Sequence, residues 1–312
     1  MVSNSFLQIP IMKLFKAFSI CLFFTAFSSQ AQLVDSLERA SKQCSEDSLC
    51  IRIYLRLSGL TCMSDPKKSL DYAQKALALS EKSKLLHLQA EAYNSMMIAE
   101  MAKEDYKNAL EIGKKGLDFT KKNNNQLVYA HILSNIASLH IRQGEYDKGL
   151  QKAIEALKII EEKGDKKSLA RAYNNIAGIF EDNKDYDKAI EYNEKSLKIK
   201  KELNDEYAMG SSYSNLGNLF TIKKEYDQAK VYYERASELG LKTKNFQLLA
   251  NNYTNIGYMY WELKDDEKAL ENYRLAMYYD IKMESKYGLA LSQLNIAGVL
   301  RRMKNYDEAL LQ

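Results

Sequence analysis

A block of this chain recurs every forty residues, beginning at Tyr93, Leu133, Tyr173, Tyr213, Tyr253 and Gln293. The clearest copies read YNNIAGIF from Tyr173, YSNLGNLF from Tyr213 and YTNIGYMY from Tyr253. Each is followed by a turn and a second block: KDYDKAIEYNEKSLKI from Lys184, KEYDQAKVYYERASEL from Lys224 and KDDEKALENYRLAMYY from Lys264. An earlier unit, with one residue fewer in its turn, spans Ile53 to about Leu79. A fixed period of this size means one supersecondary unit repeated along an array, in which each unit buries its apolar face only against its neighbours.

The unit reads as a helix hairpin. Tyr213, Leu216, Gly217 and Phe220 stand at i, i+3, i+4 and i+7, which gathers them into one apolar stripe. Ala229, Tyr233 and Ala236 form the answering face, as do Ala269, Tyr273 and Ala276. The slot held by Met97, Ala137, Ala177, Gly217, Gly257 and Ala297 is small in all but the first case. Two helices cross closely only where a side chain is nearly missing. Gly144-Glu-Tyr-Asp and Lys184-Asp-Tyr-Asp supply polar turns within hairpins, each with a Tyr to plug the bend. Only two prolines occur in 312 residues, which suits long paired helices better than a turn-rich β-sandwich.

This pattern resembles the tetratricopeptide repeat. The small slots and turn tyrosine of that family are matched by Ala177, Tyr186, Ala189 and Ser196, and again by Gly217, Tyr226, Ala229 and Ala236. The likeness covers about residues 50–312 and implies an all-α, right-handed superhelical solenoid of about seven forty-residue hairpins around a concave groove. Two departures stand out. Each unit is six residues longer than the usual 34, and the proline that commonly closes the second helix is missing from every linker. From this we expect the second helices to run on, through segments such as Lys198–Glu206.

The ends differ from the array. Residues 1–31 carry a basic start, Met12-Lys-Leu-Phe-Lys16, then an uncharged apolar run and Ser29-Gln-Ala31. That order fits a signal peptide read better from Met12 than from Met1, with Gln32 as the mature start, and it implies export to the periplasm or cell envelope of a Gram-negative bacterium. No later stretch is apolar enough for a membrane span. Residues 32–46 form a short amphipathic helix expected to cap the first hairpin, with Ser45-Glu-Asp-Ser48 capping the helix after it. Residues 47–312 are the array, which reads as cut inside the second helix of its last repeat. That would leave an apolar face of Ile296, Leu300 and Leu310 available for self-association.

Catalytic patterns are absent. His87, His131 and His140 fit no zinc spacing, and no phosphate-cradling glycine loop or nucleophile elbow occurs. The carboxylates are expected to pair with lysines at helical spacing, as Glu194 with Lys198. No enzyme, metal or cofactor is therefore expected. The formal net charge of +4 includes Lys13 and Lys16 of the leader, too balanced for a nucleic-acid partner. Cys50 and Cys62 share a helix too far apart to bridge. Cys44 and Cys50 flank a tight turn and either bridge in an oxidising compartment or remain thiols.

The binding residues are sought opposite the packing stripe. Those columns hold Ser134, Ser138 and Ile141; Asn174, Gly178 and Glu181; Ser214, Asn218 and Thr221; Thr254, Tyr258 and Trp261; Leu294, Gly298 and Arg301. Beside them runs an asparagine column of Asn135, Asn175, Asn215, Asn255 and Asn295. Amides carry both donors and an acceptor, so such a ladder either reads the main chain of an extended peptide or ties adjacent hairpins together. Trp261 beside Tyr258 is the natural aromatic anchor. Asn174, Asn175, Asn215, Asn218, Asn255, Tyr258, Trp261 and Arg301 are the candidate ligand residues, and a peptide or protein is the candidate partner. The leader, the DSLERA helix and the long repeats together are similar to the sensor portions of bacterial transmembrane histidine kinases or helix-turn-helix regulators. A stand-alone envelope scaffold is the alternative.

Overall fold

The computed structural model describes residues 27–311, with side chains from Gln32 onward. The expected leader falls outside these residues except for its last few. The described chain is α-helical, with no strand. Helix α1 (Phe27–Gln43) precedes seven hairpins. These are α2/α3 (Asp47–Thr61, Pro66–Lys82), α4/α5 (Leu86–Ala102, Tyr106–Lys122), α6/α7 (Gln126–Arg142, Tyr146–Lys163) and α8/α9 (Lys166–Asp182, Tyr186–Glu202). There follow α10/α11 (Glu206–Ile222, Tyr226–Lys242), α12/α13 (Phe246–Glu262, Asp266–Lys282) and α14/α15 (Lys286–Arg302, Tyr306–Leu310).

The forty-residue unit is two near-identical halves of twenty. Positive φ recurs at Lys84, Glu104, Asn124, Gly144, Gly164, Lys184, Asn204, Lys224, Lys244, Lys264, Glu284 and Lys304, each twenty residues after the last. One linker therefore serves both within and between hairpins, and its chemistry is visible at Asn183-Lys184-Asp185. The Lys184 N–H donates to Glu181 and the Asp185 N–H to Phe180 (2.9 Å each), closing the preceding helix around a left-handed residue. Asp185 then caps the next helix, its carboxylate accepting from the Lys188 N–H. Asp65, Asp105, Asn125, Asp165, Asp205, Asn245, Asp265 and Ser285 repeat this cap.

Two expectations need correction here. The second helices do not run on through Lys198–Glu206: α9 stops at Glu202, Asp205 is a cap, and Glu206 opens the next helix. The extra length is shared by both helices, most of them 17 residues, because the linker needs no proline to stop a helix that turns on a left-handed residue. The cap of α2 is Glu46, whose side chain bonds no helix amide and instead accepts from the Ser48 hydroxyl at 2.6 Å.

Complementary volumes govern each hairpin crossing. In the fifth hairpin a Cβ added to Gly217 would lie 2.6 Å from the Tyr233 ring, and in the sixth Gly257 meets Tyr273 at 2.7 Å. In the second hairpin the roles reverse, because Gly113 leaves room for Met97, whose sulfur would stand 3.0 Å from an added Cβ. The third hairpin uses Ala137 and Ala153, both buried. Tyr233 is fully buried and its hydroxyl meets Thr221 Oγ1 at 3.1 Å.

Each hairpin packs on the next through its second helix, and first helices of successive hairpins also touch one another where second helices make no comparable contact. First helices thus line the inner face and second helices the outer. Helix α1 lies on the first hairpin: Val34, Leu37 and Ala40 pack against Ile53, Leu57 and Tyr72. Glu38 accepts from the Tyr72 hydroxyl at 2.5 Å and pairs with Lys68 at 2.7 Å. Cys44 and Cys50 form a disulfide across the turn between α1 and α2, with Cα atoms 5.7 Å apart, and Cys62 is a buried free thiol. At the other end Ile296 and Leu300 are buried, contrary to expectation, because their side of α14 packs on Leu270 and Tyr273. The exposed apolar groups there include Tyr287, Leu291, Leu294, Tyr306, Leu310 and Leu311.

Candidate functional site

The inner face is built from first helices alone, so its character follows from the outward positions of α4, α6, α8, α10, α12 and α14. Two amide bonds mark where these helices meet. Asn135 Nδ2 donates to Asn94 Oδ1 at 2.8 Å, and Asn218 Nδ2 donates to Glu181 Oε1 at 3.1 Å. Each bond links a first helix to the one before it, which places both columns along the inner wall.

The amides of these two columns thus divide. Asn135 and Asn218 are spent on tying hairpins together. Asn175 and Asn215 are exposed, Asn255 is half-buried, and none of the three side chains forms a hydrogen bond among the described residues. Asn174 lies half-buried beside Asn175. Ser214 and Thr221 leave the groove: both are buried, and Thr221 donates back to the Gly217 carbonyl at 2.9 Å. Glu181 is the carboxylate of this wall. Burial and the neighbouring Asp182 push it above the ordinary carboxylate value, and the amide of Asn218 offsets part of that.

The aromatic end is assembled around Trp261. Its ring stacks on Tyr258 at 6.1 Å and lies under the Arg302 guanidinium at 4.7 Å, with Lys264 at 5.7 Å. Arg302 Nη1 donates to the Trp261 carbonyl at 3.0 Å, and Nη2 pairs with Asp266. Trp261 is therefore half-buried at a hairpin junction, and Tyr258, 45% exposed, presents the accessible ring. Arg301 is exposed but meets neither ring; Arg302, not singled out from the sequence, is the residue that holds Trp261. Its role was hidden because the grip depends on which way neighbouring helices rotate.

His131 and His140 are each occupied locally. His131 Nε2 lies 2.7 Å from Ser168 Oγ, and burial with the nearby Arg171 lowers its basicity; His140 Nδ1 lies 2.6 Å from Glu145. No cluster of metal-ligating side chains occurs among the described residues, and no helix there is long and apolar enough to cross a membrane. The pair expected between Glu194 and Lys198 does not form; on the same helix Lys195 pairs with Glu191 at 2.6 Å instead.

The family pattern of the tetratricopeptide repeat matches residues 128–202 and 208–277. No curated protein sequence matches the chain. Among solved structures, the fold is similar to a signal transduction ATPase with numerous domains that carries a tetratricopeptide repeat sensor, from Pyrococcus horikoshii. The TM-score is 0.63 at 20% identity, covering 96% of this chain and 50% of that one. A Rap protein complexed with competence and sporulation factor matches with a TM-score of 0.58 at 14% identity, over 88% of this chain and 81% of that one. The quorum sensor NprR from B. thuringiensis, in its apo form, matches at 0.57 and 16%, over 84% and 73%.

Proposed function

Because this chain is a tetratricopeptide-repeat protein, we propose that its inner face binds an extended peptide and that it works as the recognition part of a sensor outside the cytoplasm. The observation that carries the reading is this division of the amides. Buried amides in proteins are normally satisfied, and Asn135 and Asn218 are; Asn175, Asn215 and Asn255 are left on the inner wall with donors and acceptors for a ligand main chain. Tyr258 would take an apolar side chain of the same ligand, with Arg302 holding Trp261 behind it. This chain binds and does no chemistry of its own in this reading. A Rap protein complexed with competence and sporulation factor and a quorum sensor share the fold, which is in keeping with a recognition role.

Export rests on the leader and is supported by the Cys44–Cys50 disulfide, a bond that persists in oxidising compartments. Expressed with its leader in a Gram-negative host, the protein should be recovered outside the cytoplasm with Gln32 at its N-terminus; an intact leader in the cytosol would refute export. For the groove, peptides selected from a displayed library on the wild type should lose about tenfold or more in affinity on Asn215→Ala, as an unpaired ligand group costs about 1–3 kcal/mol. The melting temperature should not move, because the Asn215 side chain holds nothing in the free protein. Lost stability with unchanged affinity would remove the asparagines from the site.

A further inference from the structure

The outer face carries a cleft between the second helices of the fourth and fifth hairpins. Its volume is about 510 Å³, and it is lined by Leu197, Lys198 and Lys201 of α9, Tyr232 and Arg235 of α11, and floored by Tyr213. That volume falls within the range of sites that hold small molecules or peptide side chains. Lys201 Nζ lies 5.6 Å and the Arg235 guanidinium 5.8 Å from the centre of the same Tyr213 ring, so two helices aim their charges at one point. The Tyr213 and Tyr232 rings stand 6.2 Å apart, and Tyr232 is stacked on Phe220 at 5.3 Å.

No carboxylate among the described residues comes within 4.0 Å of Lys198, Lys201 or Arg235. Glu194 borders the cleft without pairing with Lys198. The next cleft along the outer face behaves otherwise. There Lys268 pairs with Asp265 at 2.7 Å and Lys230 reaches Glu234 at 4.0 Å. Three cations gathered in one cleft with no carboxylate paired to any of them cost free energy, and a bound anion would recover it.

We propose that this cleft binds an acidic segment of a partner protein, its carboxylates set between Lys201, Arg235 and Lys198 and an apolar side chain laid against Tyr232 and the exposed Val231. The forked guanidinium suits a carboxylate, and the apolar floor favours a peptide over a free ion. The site lies on the face opposite the asparagine column and does not depend on the groove binding anything.

Fluorescence anisotropy with a labelled Glu-Glu-Phe-Glu-Glu peptide tests it. The wild type should bind saturably, more weakly as salt rises. Lys201→Gln combined with Arg235→Gln should weaken binding about tenfold or more. Lys230→Gln combined with Lys268→Gln in the neighbouring cleft should leave it unchanged, as should Asn215→Ala. All the exchanged lysines and Arg235 are exposed, so the variants should keep the wild-type circular dichroism spectrum. Equal affinity of the cleft variant and the wild type, or no binding up to about 1 mM peptide, would overturn the proposal. Tighter binding of an oligouridylate of the same charge, lost in the same variant, would overturn it too, in favour of a nucleic acid.

Discussion

Single residues are most exacting where helices cross. Gly217 has no room for even one methyl group, because the ring that would meet it is the buried Tyr233. Gly217→Ala should therefore cost about 1–3 kcal/mol, the usual range for overpacking. Joined to Tyr233→Ala it recreates the alanine pair of Ala137 and Ala153 in the third hairpin, so the double variant should be more stable than the two single losses added together. A coupling of about 0.5–3 kcal/mol in a thermal or urea denaturation cycle is expected; strict additivity would show that the two residues do not meet. Two buried charges make a second residue-scale case. Asp280 accepts from Ser292 Oγ at 2.7 Å and Lys200 donates to Ser212 Oγ at 2.6 Å, at equivalent junctions two repeats apart. Burial pushes the Asp280 carboxyl up and the Lys200 amine down. A raised carboxyl contributes stability that is present below its ordinary value and lost as pH rises through the value in the folded protein. Asp280→Asn should therefore be more stable than the wild type near neutrality, and the gap should close as pH falls below the ordinary carboxylate range. For Lys200→Met the gain should close instead in strong alkali, since a lowered amine withholds stability while it is protonated. Denaturation midpoints across pH read both; gaps that do not change with pH would mean that neither group titrates with folding.

At the scale of the element, one linker explains the length of the repeat. From α3 onward a left-handed residue ends each helix and the next residue stands at the cap of the following one, so about three residues turn the chain and 17-residue helices fill most of each half. Asp185→Ala removes a side chain that bonds the Lys188 amide and should cost about 0.5–2 kcal/mol. Glu225 occupies the same place in the next hairpin without a cap bond, so Glu225→Ala should cost clearly less. Hydrogen exchange of the first turns of α9 and α11 localises the two effects, and equal losses would show that the cap bond contributes nothing. The halves were hard to see in the sequence because the left-handed positions hold Lys, Asn and Glu more often than Gly. Without glycine or proline to mark it, the linker between hairpins reads like a solvated stretch of helix.

At the scale of the molecule, stacking converts short-range contacts into an extended surface. One end is covered by α1, through Leu37 and the Glu38 contacts with Tyr72 and Lys68. On the last hairpin Leu294 is 68% and Leu310 86% exposed, beside Tyr287 and Leu291. Exposed apolar side chains of this kind favour association where nothing covers them. Residues 32–312 expressed alone should therefore sediment with a concentration-dependent mass, and Leu294→Glu should shift them toward the monomer. A mass independent of concentration in the wild type, or unchanged self-association in the variant, would exclude this face as the contact.

The sequence by itself determined the repeat, the helix hairpin and the crossings at Gly217 and Gly257, because a forty-residue period with a fixed small slot admits few other solutions. It also placed Cys44 within reach of Cys50, since both flank one short turn. Which polar residues remain available to a ligand was decided only by the tertiary structure. Asn135, Asn175 and Asn215 occupy the same slot of successive repeats, yet Asn135 meets Asn94 across a helix junction while the other two side chains meet no partner. Lys198 likewise has Glu194 one turn away and leaves it unpaired. Such outcomes turn on the rotation of one helix against the next, an interaction between residues about forty apart that no local pattern encodes.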